Sequence, residues 1–185
     1  MPIYDRDDDL KETTLMGGRK INKDDLRVDA YGTIDEANSF LGLAASFSED
    51  KNINGIIEKI QQDLFAIGSN LATPEEDRTR INYPIPEISH SHVENLEKII
   101  DEIEKELPSL NKFILPAGCR ATSALHVARS IIRRAERIVV ALSKKEKVNP
   151  EIIKYLNRLS TLLFELARLA NKRENVSEKE WDAKV

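Results

Sequence analysis

Between Ala121 and Leu142, the titratable side chains His126, Arg129, Arg133, Arg134, Glu136 and Arg137 stand among Ala, Leu, Ile and Val. Arg129, Arg133 and Arg137 lie four apart, so on a helix their guanidinium groups project from one side, with Arg134 turned about 100° from Arg133. Three like charges in a row repel one another unless something anionic answers them. Carboxylates on neighbouring helices are one answer. A polyanionic ligand is the other, because a guanidinium offers a planar fork of donors that matches phosphate oxygens. The chain as a whole has a formal net charge of −4, so no basic surplus exists for general binding to nucleic acid and the cations must act locally.

Other residues could do chemistry and make weaker cases. Glu87-x-x-His90 and His90-x-His92 resemble fragments of a di-metal motif, but the second copy that such a bundle site needs is absent, and no firm metal ligand set emerges. His126 reads as a packed, hydrogen-bonded core histidine. Cys119, the sole cysteine, reads as an inert small residue and excludes an intrachain disulfide. Asn157 and Thr161 share one side of a later helix with Arg168 near the same line, and Arg168 reads as part of a solvated face. Neither Gly-x-x-x-x-Gly-Lys-Ser/Thr nor Gly-x-Gly-x-x-Gly occurs, so the standard nucleotide folds are excluded.

The elements that must position these groups are helices. In 185 residues, one domain's worth, only 7 Gly and 7 Pro accompany a hydrophobic fraction of 41%. Thr33-Ile34-Asp35-Glu36 has the form of a capping box and predicts a first helix from about Thr33 to Phe47. Ile53 to Leu71 predicts a second, stopped by Pro74. Thr73 to Ile88 is a Pro-rich connection. Ser91-His92-Val93-Glu94 predicts the start of a third helix that ends before Pro108, the Ala121–Leu142 stretch is the fourth, and Asn149-Pro150 caps a fifth from about Glu151 to Asn171. No strand-length alternation occurs. The expected fold is all-α, a ferritin-like five-helix bundle over residues 28–173, with a flexible N-terminal arm over 1–27 and a polar C-terminal tail over 174–185. No apolar run suits a signal peptide or a membrane span, so the expected location is the cytoplasm, with no membrane partner.

Six segments go further when taken in order. They are Lys23-Asp24-Asp25, Val28-Asp29-Ala30-Tyr31-Gly32-Thr33-Ile34-Asp35-Glu36, Phe113-Ile114-Leu115-Pro116, Leu125-His126-Val127-Ala128-Arg129, Arg133-Arg134-Ala135-Glu136-Arg137, and Tyr155-Leu156-Asn157-Arg158-Leu159-Ser160. Together they resemble the trimeric, five-helix type of ATP:cob(I)alamin adenosyltransferase, over about residues 13 to 171. The resemblance implies transfer of the 5′-deoxyadenosyl group of ATP, with Mg²⁺, to the cobalt of cob(I)alamin or a related corrinoid. The products are adenosylcobalamin and triphosphate.

By the same resemblance, Thr13, Thr14 and Lys23 of the arm contact ATP, together with Arg133, Arg134, Glu136, Arg137 and Asn157. Arg133, Arg134 and Phe113 are the residues expected to act on the reacting groups, with Phe113 against the corrin. Arg129 pairs with Asp35 of a neighbouring subunit, which places each site between subunits of a homotrimer. The resemblance also implies a downstream adenosylcobalamin-dependent enzyme as a partner. The alternative is a non-catalytic trimeric protein that holds or delivers adenosylcobalamin, and a weaker one is a scaffold whose Arg row only makes salt bridges. Where the family arm carries Thr-Gly-Asp-x-Gly, this chain has Asp7-Asp8-Asp9-Leu10-Lys11. Those acids are expected to recruit Mg²⁺ to the triphosphate.

Overall fold

The computed structural model describes residues 11–182. A hairpin of β1 (Glu12–Thr14) and β2 (Lys20–Asn22) precedes α1 (Leu26–Phe47), α2 (Lys51–Leu71), a short 3-10 helix (Glu75–Arg80), α3 (His90–Glu106), α4 (Arg120–Ser143) and α5 (Pro150–Arg173). α4 is the centre of the bundle. It packs on α1 along one side and on α5 along the other, α2 covers α1, and α3 covers α5. Small residues explain the close α1–α4 seam, since α1 buries Ala30, Ala37 and Ala44 while α4 buries Ala121, Ala124, Ala128 and Ala135. Leu125, Ile132, Val139, Leu159, Leu163 and Leu166 fill the centre. No helix among the described residues is long and apolar enough to cross a membrane.

Five α-helices form as the sequence predicts, and two of their starts differ. α1 begins about two turns before Thr33. Asp25 is its N-cap, accepting from the Arg27 N–H at 2.8 Å, and Thr33 is a buried interior residue whose hydroxyl lies 3.4 Å from Asp29. Gly32 makes the helix look broken there, but an interior glycine costs only about 1 kcal/mol relative to Ala, and burial of Ala30, Ile34 and Ala37 outweighs it. α3 is capped by Ser89, not Ser91. His92 takes the place of the usual glutamate, its Nδ1 accepting the Ser89 N–H at 3.1 Å.

Within the expected N-terminal arm over 1–27, residues 12–22 form a hairpin. β1 and β2 pair antiparallel with Thr13 opposite Ile21 and Thr14 opposite Lys20. Strands of three residues are too short to display an alternation. Gly17 and Gly18 both have positive φ, at 101° and 84°, so the doublet makes the turn tight. At the other end of the chain, the polar tail turns back after α5. The Leu115 N–H donates to the Lys179 carbonyl at 2.8 Å and the Trp181 N–H to that of Phe113 at 2.7 Å, forming a short antiparallel bridge at Ile114 and Glu180.

Candidate active site

Cys119 starts α4 and thereby sets the phase of every arginine after it. Its sulfur accepts from the Thr122 N–H at 3.4 Å, and the Cys119 N–H donates to Asn171 Oδ1 at 3.0 Å, which ties the helix start to α5. The arginines downstream have different surroundings. Arg134 pairs with Glu36 of α1. Arg137 donates to the Arg133 carbonyl at 2.9 Å, its neighbour one turn back. Among the described residues no carboxylate lies within ion-pair distance of Arg129, Arg133 or Arg137. Arg133 and Arg137 are exposed, whereas Arg129 is half-buried and its Nε is enclosed without an acceptor among the described residues. Burial, followed by the charge of Arg133, lowers the pKa of the Arg129 guanidinium.

The carboxylates on α1 divide between two faces. Glu36 lines a cleft of about 420 Å³ with Phe40, Pro116, His126 and Arg134, whereas Asp35 lines another of about 380 Å³ with Met16, Tyr31 and Phe65. Asp35 and Arg129 therefore do not meet within one chain. On α5, Asn157 Nδ2 donates to Glu136 Oε1 at 2.9 Å, while its own Oδ1 accepts from Arg158, whose Nε reaches Glu97 of α3 at 2.6 Å. Among the described residues these contacts engage one Glu136 oxygen, on the helix that carries Arg133 and Arg137.

The structure does not bring the arm to this row. Thr13 is half-buried and Thr14 exposed on β1, Lys23 is exposed just past β2, and neither strand approaches α4 or α5. Asp7, Asp8, Asp9 and Leu10 lie outside the described residues. Phe113 is 79% exposed, a large aromatic ring held out by backbone that is itself well anchored. Its only ring neighbour among the described residues is Trp181, edge-on with centroids 6.2 Å apart. Gly118 completes that anchoring with φ +152°, since a Cβ there would fall 2.0 Å from Asn171 Oδ1.

Residues 3–170 match the family model described as cobalamin adenosyltransferase. The chain belongs to the cobalamin adenosyltransferase family. It is 44% identical to a corrinoid adenosyltransferase of Bacillus subtilis (strain 168), over 98% of this chain and 93% of the relative. It is 40% identical to one of Mycobacterium leprae (strain TN), over 94% and 93%. Among solved structures, a PduO-type ATP:corrinoid adenosyltransferase of Lactobacillus reuteri, a phenylalanine-to-alanine variant complexed with cobalamin and ATP, is similar with a TM-score of 0.89 at 37% identity, covering 97% of this chain and 99% of that one. An arginine-to-lysine variant from the same organism, complexed with ATP, gives a TM-score of 0.89 at 36% identity, over 97% and 100%.

In this member of the cobalamin adenosyltransferase family, two of the sequence expectations need correction. Arg168 does not lie on a solvated face. It is 5% exposed, with Nε 2.8 Å from Glu178, NH1 3.1 Å from Glu165 and NH2 donating to the Pro108 carbonyl at 2.7 Å. Its partners come from the tail and from the end of α3, and the helical spacing of α5 carries no trace of them. His126 is buried as expected, yet among the described residues its Nδ1 has no hydrogen-bond partner, and the ring packs against Phe164 at 6.0 Å. Burial first and the Arg129 charge second lower its pKa from the ordinary imidazole value, with Glu178 opposing, which favours the neutral imidazole.

The other histidines serve surface contacts. His90 lies 3.6 Å from both Glu94 and Glu151, Glu87 pairs with Arg78 at 2.6 Å, and no group of three metal-capable side chains occurs among the described residues. Residues that sequence reasoning missed are Glu36 as the partner of Arg134, Asn171 as the clamp on the Phe113 segment, and Trp181. The last had a signal in the sequence, because it is the single Trp and stands in a polar tail.

Proposed function

We propose that the protein transfers the 5′-deoxyadenosyl group of ATP to the cobalt of cob(I)alamin or a related corrinoid, at sites between the subunits of a cytoplasmic homotrimer. The observation that carries this reading is the α4 row: exposed Arg133 and Arg137 that no carboxylate among the described residues answers, beside a half-buried Arg129 whose Nε lacks an acceptor among them, in a family member of net negative charge. In the reaction, the cobalt(I) electron pair becomes the new bond to carbon 5′ as the bond from carbon 5′ to the phosphate oxygen breaks, and the bonding pair of that broken bond leaves on the oxygen of triphosphate. No proton has to be taken from the nucleophile, so the site needs no general base. Its tasks are to hold carbon 5′ in line with cobalt and to stabilise the leaving charge.

Arg133, Arg134 and Arg137 would bind the triphosphate, each contact being worth on the order of 1.5 to 3 kcal/mol. Mg²⁺ would enter on the ATP phosphates, the usual habit of this ion, and the Glu136 carboxylate suits a magnesium-bound water or a ribose hydroxyl. Asn157 would keep Glu136 oriented. Phe113, exposed and fixed, would lie against the corrin and help the cobalt lose its lower ligand. Thr13, Thr14 and Lys23 would reach the nucleotide from an adjacent subunit, because neither strand approaches α4 in its own chain. Asp35 of one subunit would meet Arg129 of the next, giving the enclosed Nε the acceptor it lacks.

The test is anaerobic incubation with chemically reduced cobalamin, with and without ATP. ATP-dependent loss of the cob(I)alamin spectrum and appearance of adenosylcobalamin is the expected result. Corrinoid binding without turnover would instead mark a carrier that hands adenosylcobalamin to an enzyme dependent on it.

A further inference from the structure

The hairpin is docked by groups that the transfer chemistry does not use. Asp77, in the 3-10 helix that follows α2, has a side chain with 0% exposure. Its Oδ2 lies 2.7 Å from Arg19 Nε and its Oδ1 3.0 Å from Arg80 NH1, while Arg19 NH2 also reaches Glu76 at 3.0 Å. Among the described residues neither Asp77 oxygen has a well-aligned hydrogen-bond donor, and its close charged partners are the Arg19 and Arg80 cations. A carboxylate this deeply enclosed is unfavourable unless a cation accompanies it, and one of its two cations is on the hairpin.

The backbone fits the same contact. Gly17, with φ +101°, packs directly on Asp77: a Cβ there would stand 3.2 Å from Asp77 Cβ and 3.4 Å from its carbonyl oxygen. Leu15, one side of the turn, is 4% exposed. The Leu15 N–H donates to the Arg19 carbonyl at 2.8 Å, so the residue whose side chain reaches Asp77 also closes the turn. Asp77 is rigidly placed in its own right, with its N–H donating to the Pro74 carbonyl at 3.0 Å and Thr73 Oγ1 donating to the Ser69 carbonyl at the end of α2 at 2.8 Å.

We propose that Arg19 and Asp77 form a latch that docks the hairpin against the end of α2 and so positions Thr13 and Thr14 for the phosphates of ATP. The proposal rests on the reading of the hairpin as a nucleotide-binding arm. Both are positioning residues, acting through the strand that carries the threonines. Their effect belongs to ATP capture and not to the corrinoid or to the chemical step.

The test uses the full-length protein with Asp77→Asn, Arg19→Met and the double variant. Amide hydrogen exchange over residues 12–22 without ligand should rise about ten-fold in each, with protection of α4 retained. KM for ATP should rise by about ten-fold while kcat at saturating ATP stays within about two-fold and KM for cob(I)alamin is unmoved. The double variant should be no worse than the worse single one, and Arg19→Lys should recover part of the ATP affinity. Arg19→Met keeps the experiment decisive if Asp77→Asn folds poorly, since Arg19 is on the surface side of the pair.

Unchanged hairpin exchange, or effects of the two substitutions that simply multiply, would overturn the latch. A looser hairpin with unchanged KM for ATP would overturn it too, and Thr13→Ala separates the causes. If Thr13→Ala still raises KM for ATP, the arm binds nucleotide without needing the latch. If it does not, the reading of the arm has failed as well.

Discussion

Arg168 on α5 and Arg133 on α4 are both arginines on largely buried helices, and their surroundings are opposite. Arg168 is enclosed, with Glu165, Glu178 and the Pro108 carbonyl taking its donors. Arg133 is exposed and has no carboxylate within ion-pair distance among the described residues. A satisfied, buried cation holds a fold together, because removing it strands the partner charge. An unsatisfied cation at the surface adds little to stability and remains available for a ligand. The contrast separates a structural arginine from a functional one where helical spacing treats them alike.

The largest expected effect tests the structural side. Arg168→Ala should cost on the order of 3 to 5 kcal/mol of stability, read from the denaturant midpoint, because Glu165 and Glu178 lose their buried cation. Little change in the midpoint would mean that Arg168 belongs with Arg133.

Assembly comes next. The protein should run as a trimer of about three times the 21.0 kDa chain by light scattering, and Asp35→Ala should shift it towards monomer, since a half-buried Arg129 left unpaired costs up to a few kcal/mol. A wild-type monomer would remove the reason for placing the site between subunits.

Arg133→Ala sharpens the functional side. Its stability should stay within about 0.5 kcal/mol of the parent, while turnover falls about ten- to a hundred-fold, the scale of one charge-assisted contact to the leaving group. Arg134→Ala should behave similarly in turnover, with a further small loss from the exposed pair with Glu36. Equal turnover with lowered stability would reverse the assignment.

The smallest effect concerns His126. Its folded pKa lies below 6.5, so the folded state disfavours the proton and His126 contributes stability that is present above pH 6.5 and lost as the pH falls through the folded value. Wild-type stability should therefore decline below pH 6.5 by up to about 1.4 kcal/mol per pH unit more than that of His126→Asn. Parallel pH profiles for the two proteins would show that the buried imidazole does not titrate in this window.

The helices were legible because apolar periodicity and caps are local properties. Pro150 after Asn149 announces α5, and the stripe Leu125, Ala128, Ile132, Ala135 and Val139 announces the buried face of α4, whatever packs against it. The spacing of Arg129, Arg133 and Arg137 was equally fixed by helix geometry, and the ordered segments from Lys23 to Ser160 sufficed to identify the family. What a charge meets is decided otherwise. Arg134 finds Glu36 across the α1–α4 seam, Arg19 finds Asp77 beyond the whole of α1 and α2, and Trp181 returns from the chain's end to Phe113. Such partners depend on distances between elements far apart in sequence, and electrostatic attraction, unlike helical periodicity, carries no repeat by which the sequence could announce it. Hence the sequence by itself determined which side chains share a helix face, and only the tertiary structure decided which of those arginines were already answered.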